Sequence, residues 1–118
     1  MVIVKWMLCL FLVLCAVPAF AATAVLTWGD NSTNETNFDI ERKAELCTGT
    51  TGTWSVIGSV AANIVTYRDS AISEGLPYCY RVNARNSAGK SGYTNTAGTT
   101  VPFTIPAVPS QLGLTIEP

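Results

Sequence analysis

Residues 78–84 read Tyr78-Cys79-Tyr80-Arg81-Val82-Asn83-Ala84, and their alternation does not slip. In an extended chain Tyr78, Tyr80, Val82 and Ala84 share one face, with Cys79, Arg81 and Asn83 on the other. A helix would scatter the same residues around its axis. The stretch is a strand with one face built for a core.

The same period recurs in both directions from this stretch. Upstream, Ala24 to Trp28 places Ala24, Leu26 and Trp28 on one side. Phe38 to Arg42 turns Phe38 and Ile40 inward and Asp39 and Glu41 outward. Trp54 to Val60 reads as a third strand, beginning after the turn Gly49-Thr50-Thr51-Gly52, and Val65 to Tyr67 as a short fourth. Downstream, Asn86 to Gly92 reads as a turn and Tyr93 to Val101 as a last strand. Six short strands separated by turn residues, with almost no helical periodicity, predict an all-β antiparallel sandwich of two sheets.

Residues 1–21 stand apart from this pattern. Lys5 precedes an apolar run from Trp6 to Val17, and Ala19-Phe20-Ala21 has the form of a cleavage site. The run is shorter than the ~20 residues that span a bilayer. The expectation is a cleaved secretory leader, with an uncleaved anchor as the alternative. Leu14 before Cys15 argues against a lipid-modified start, which wants a small residue there. Just under a hundred residues remain, enough for one core.

With Cys9 and Cys15 removed, Cys47 and Cys79 form an even pair in an oxidising compartment. One disulfide is the natural reading. Its loop of about thirty residues would add roughly 2–4 kcal/mol.

The stretches LTWGDNSTNETNFDIERK, VTYRDSAI and GLPYCYRVNARNSAGKSGYTNT (all within residues 24–101) together resemble a fibronectin type III domain of the bacterial secreted kind. Leu26 and Trp28 match the family's second strand, and Phe38 and Ile40 its third. Tyr67 lies in the stretch matching the strand before the corner turn. Ile72, Gly75 and Tyr78 match the turn in which a tyrosine hydroxyl meets nearby backbone, and Tyr80 and Val82 match the inward row of the sixth strand. The resemblance implies a seven-strand sandwich that serves as a binding surface or spacer and is not an enzyme. It also implies a surface disulfide, because Cys47 lies just past the third strand and Cys79 points outward from the sixth. An immunoglobulin domain fits less well: it wants its tryptophan on the third strand and inward cysteines.

The polar run Asp30 to Asn37 then reads as a structural turn, since Asp and Asn side chains bond local backbone. Asn31-Ser32-Thr33 and Asn34-Glu35-Thr36 are formal glycosylation sequons that matter only on a eukaryotic secretory route. Ala84 to Ser91 nearly spells a phosphate loop, but Gly92-Tyr93-Thr94-Asn95 follows where a helix is required. A β-hairpin is expected there, and no nucleotide.

The chain has no histidine, so Ser-His and Cys-His pairs are excluded, and two cysteines alone make a poor zinc site. Asp39 and Glu41 read as solvated strand-face charges beside Arg81 and Arg85, and no cofactor is expected. With no basic cluster, nucleic acid is not a favoured partner. Trp54 is the one aromatic that, if exposed, would offer a surface to a sugar or a protein.

These readings favour a secreted, non-catalytic module for protein interaction, adhesion or spacing. A carbohydrate-associated accessory module, or a fragment of a larger secreted protein, is the alternative. Residues 102–118 are expected to form a proline-rich linker and a tail in which Leu112, Leu114 and Ile116 alternate, like a displaced first strand. Pro102 to Val108 reaches at most ~25 Å, against roughly 27 Å for a strand of about eight residues. The domain is thus expected to lack its own N-terminal A strand, and the tail either to pair outside its own domain or to be the start of a second, truncated one.

Overall fold

Each alternating stretch from Ala24 to Ala84 contributes a strand. The computed structural model describes residues 22–118, so the expected leader lies outside the described residues. The strands are β1 (Ala24–Thr27), β2 (Asn37–Lys43), β3 (Ser55–Ala61), β4 (Thr66–Asp69), β5 (Pro77–Asn86), β6 (Gly89–Tyr93) and β7 (Ala97–Thr100). All pairings are antiparallel. One sheet runs β3-β2-β5-β6, with β7 also pairing β5, and the other contains β1 and β4.

The single last strand expected from the sequence is two strands, which makes seven among the described residues. Tyr93 pairs with Asn83 and Ala97 with Tyr80, so this side carries one residue more than β5 does. Thr94 absorbs the mismatch: its hydroxyl accepts the Val82 N–H at 3.1 Å in place of a backbone carbonyl. The expected turn over Asn86 to Gly92 is also tighter than read. Asn86 pairs with Gly89, and strand structure resumes at once.

Phe38, Ile40, Tyr78, Tyr80, Val82 and Val101 are buried, and Leu26, Trp28, Tyr67 and Ile72 are half-buried against them. Trp28 meets Phe38 edge-on, with ring centroids 5.7 Å apart. Aromatic area buried in this way is a large stabilising contribution in so small a sandwich.

Two turns need their particular residues. Gly75 has φ +78°, which L side chains rarely adopt. It lets the chain double back so that the Ser73 N–H donates to the Tyr78 hydroxyl at 3.0 Å. Tyr78→Phe is expected to cost roughly 1–2 kcal/mol by removing this one bond; a denaturant melt unchanged from wild type would contradict the assignment. In the Asp30–Asn37 connection, Asp30 Oδ1 accepts the Ser32 N–H at 3.1 Å, and the Thr36 N–H donates to the Arg85 carbonyl at 2.8 Å. The polar run closes a turn and delivers β2.

Candidate functional site

The outer face of the larger sheet carries most of the paired charge. In β2, Asn37, Asp39, Glu41 and Lys43 project to this side, and in β5 Cys79, Arg81, Asn83 and Arg85 do the same. Register sets Glu41 opposite Arg81, and their side chains pair at 2.9 Å. Arg85 reaches diagonally to Asp39 at 2.9 Å. Lys43 Nζ lies 3.3 Å from Glu45 and donates to the Gly49 carbonyl at 2.6 Å.

The facing is as the alternation predicts, but the solvation is not. Asp39 and Glu41 are 4% and 5% exposed, and Lys43 is buried as well. The reason is cover. The Arg81 guanidinium stacks 3.7 Å from the Tyr93 ring centroid and 4.2 Å from that of Trp54, roofing the carboxylates between the strands. Trp54 is half-buried and lies just before β3. Its ring packs against the Arg81 and Lys43 cations on this face.

Burial alone would raise the Glu41 pKa, but hydrogen bonds from Arg81 and Tyr93, with the charge of Arg81, outweigh it and hold the carboxyl below its ordinary 4.5. Glu45 is held down to about 2, first by the Gly52 N–H and then by Thr51, so it caps the turn after Cys47. Carboxylates held ionised in this way are poor proton donors for general acid chemistry.

A second charged cluster lies between the sheets, and the sequence reading missed it. Asp69, at the end of β4, is 4% exposed. It accepts the Tyr80 hydroxyl at 2.8 Å, Arg42 at 2.7 Å and the Ala71 N–H at 3.0 Å. Burial pushes its pKa up, yet these partners together hold it below 3.8. The same burial and the Asp69 charge push the Tyr80 phenol up. The signal was present: Phe38, Ile40 and Arg42 share a face, as do Tyr67 and Asp69, so each sheet contributes one inward charge.

These shifts set a pH dependence. A carboxylate whose folded pKa lies below its unfolded value adds stability above the unfolded value, and that stability is lost as pH falls through the folded one. The urea midpoint is expected to be flat from pH 6 to 8 and to fall from about pH 4 downward. Glu41→Gln should flatten part of that acid slope, and an unchanged slope would count against the Glu41–Arg81 pair.

Cys47 and Cys79 are joined, with their Cα atoms 5.1 Å apart. The bond is not the surface feature expected: Cys79 is 0% exposed. β7 runs close alongside it: Gly98 pairs with Cys79, and a Cβ there would clash with the Tyr78 carbonyl oxygen and lie 3.0 Å from Cys47 Sγ. Only glycine allows that approach.

The phosphate-loop lookalike is a hairpin. The Ala84 N–H is taken by the Ser91 hydroxyl at 2.9 Å and the Ala88 N–H by Asn86 Oδ1 at 2.8 Å. A phosphate cradle would need such groups free. Among the described residues no group of three or more His, Cys, Asp or Glu is placed to hold a metal ion.

No family model matches the chain. Among solved structures, it is similar to the twitchin kinase region from C. elegans, with a TM-score of 0.58 and 21% identity over 71% of the chain. The chain spans only 15% of that structure. It is also similar to a fourth FNIII domain from human, with a TM-score of 0.57 and 18% identity, covering 79% of this chain and 76% of that one. A fibronectin type III domain derived from the human KIAA0970 protein gives a TM-score of 0.53 and 17% identity, covering 85% and 80%. The fold is thus the all-β fold of a fibronectin type III domain.

Proposed function

We propose that this chain is an exported, non-catalytic fibronectin type III-like module of the bacterial secreted type, acting as an interaction or spacer domain outside the cytoplasm. The observation that carries this reading is the buried Cys47–Cys79 bond, which belongs in an oxidising compartment. The leader-like residues 1–21 point the same way. The chemistry agrees: the buried carboxylates Asp39, Glu41 and Asp69 are each tied to an arginine, and the chain has no histidine. Trp54 stacks on Arg81, which weighs against a sugar-stacking role for that ring face.

Expression with its own residues 1–21, followed by fractionation and peptide mapping without reductant, tests the reading. The expected product starts at Ala22, lies outside the cytoplasm and contains the Cys47–Cys79 peptide pair. A full-length cytoplasmic chain with both thiols free overturns it.

A further inference from the structure

The two sheets are unequal. Among the described residues β1 pairs only with β4, so its other edge is open. None of its four residues is buried, whereas β2 is buried along nearly its whole length. Between the open edge and β7 runs a groove. One stretch of about 550 Å³ is lined by Ile72, Tyr80 and Val101. A second, of about 670 Å³, is lined by Leu26, Trp28 and Val82. Both include Ala24, Tyr80, Gly98 and Thr99, so they are continuous. The groove floor is thus the core itself, and the wall is a row of unpaired backbone groups.

The same chain carries a strand with no place to lie. Leu112, Leu114 and Ile116 alternate and are 100%, 87% and 84% exposed. Residues 102–118 form no secondary structure; Pro102 and Thr104 border the groove, and none of Ser110–Ile116 lines it. We propose that Ser110–Ile116 of one chain docks as an antiparallel strand on β1 of a second copy, with its three aliphatic side chains on the groove floor.

Direction favours a second copy over self-closure. Val101 and Pro102 border the groove together with Ala22, Thr23 and Ala24, so the tail leaves its own domain where β1 begins. An antiparallel strand must enter where β1 ends. The tail would first have to run past the groove and then reverse, through Pro102, Pro106 and Pro109. Phe103, stacked on Gly75, and the Thr104 hydroxyl, donating to Glu74, hold its first residues against the corner loop. Reach alone does not forbid self-closure, contrary to the sequence-based length argument. β1 has four residues, about 13 Å, not the eight assumed. A parallel strand on its own β1 would avoid the detour but is the less stable pairing. Reciprocal exchange closes a dimer, and one-way donation builds a chain of modules. The proposal stands on the groove and tail, whatever the module binds.

Light scattering on the exported chain, and on Leu112→Asp/Leu114→Asp, tests it. The substituted side chains are exposed, so the domain should still fold. Wild type is expected to be dimeric or larger, and the variant monomeric. A chain lacking Pro106–Pro118 should bind a synthetic peptide of residues 109–118, and the doubly substituted peptide roughly a hundredfold more weakly. An oligomer that survives the substitutions overturns the proposal, as does a truncated chain that ignores the peptide. A monomeric wild type also overturns it. If the substitutions then lower its melting temperature, the groove belongs to its own tail; if not, the tail covers nothing. A chain that retains residues 1–21 and associates only once they are removed assigns the groove to that segment instead.

Discussion

Asp69→Ala is expected to lower the unfolding free energy by roughly 3 kcal/mol, more than any surface charge in this domain. The carboxylate joins the two sheets, with β4 supplying it and β2 and β5 supplying Arg42 and Tyr80. Removal leaves the Tyr80 hydroxyl buried without its acceptor and the Arg42 guanidinium without its counter-charge. Breaking a fully buried pair costs about 3–5 kcal/mol. Here the lower end applies, because the Arg42 side chain is 23% exposed and can rehydrate. It also keeps its bond to the Ala71 carbonyl at 3.1 Å. Asp69→Asn retains an acceptor for Tyr80 or for Ala71 but loses the charge, and should cost about 1–2 kcal/mol. Tyr80→Phe should fall in the same range and should be non-additive with Asp69→Asn, since both act on one bond. Urea melts of the three variants decide it. A neutral Asp69→Ala would mean that water, not the protein, solvates this carboxylate.

That cluster also shows where sequence reading stops. Alternation assigns faces reliably because the strand period is two, and the inward row of β5 follows from seven residues. It does not say how deep each face lies. Asp39 and Glu41 were correctly placed on the outer face but are buried: Arg81, stacked on Trp54 and Tyr93, pairs with Glu41, and Arg85 pairs with Asp39. That cover joins side chains from three different strands or strand ends, and no local window contains them. Arg42 and Asp69 follow the opposite logic: their parity was readable as inward, yet a lone charge on an inward row makes sense only once its partner on the other sheet is known. The division of the last strand into β6 and β7 was equally hidden. It depends on a one-residue mismatch against β5, which is a property of pairing and not of propensity. The tyrosine corner was legible because its three parts lie within seven residues, Ile72 to Tyr78, and its geometry is local.

Loss of the Cys47–Cys79 bond is expected to be the costliest change of all, roughly 3–4 kcal/mol. The cysteines are 32 residues apart in sequence, and the loop between them contains all of β3 and β4. Opening the bond frees that length of denatured chain, and the entropy of a loop of this size accounts for the estimate. A small single domain has only about 5–10 kcal/mol in hand, so a large share of its stability rests on one bond. Placement sharpens the effect. Cys79 pairs directly with Gly98, so the bond sits beside the contact that holds β7 to β5. Cys47→Ala, Cys79→Ala and the double variant should therefore destabilise by similar amounts, because any one of them opens the same loop. Reductant should lower the wild-type melting temperature and leave the variants unmoved. Cys79→Ala should be slightly worse than Cys47→Ala, since the buried position beside β7 loses its sulfur while Cys47 is half-exposed. Additive single variants, or a wild-type melt insensitive to reductant, would show that the sandwich holds β7 without the bond. The stability of this fold would then have to come from the sheets alone.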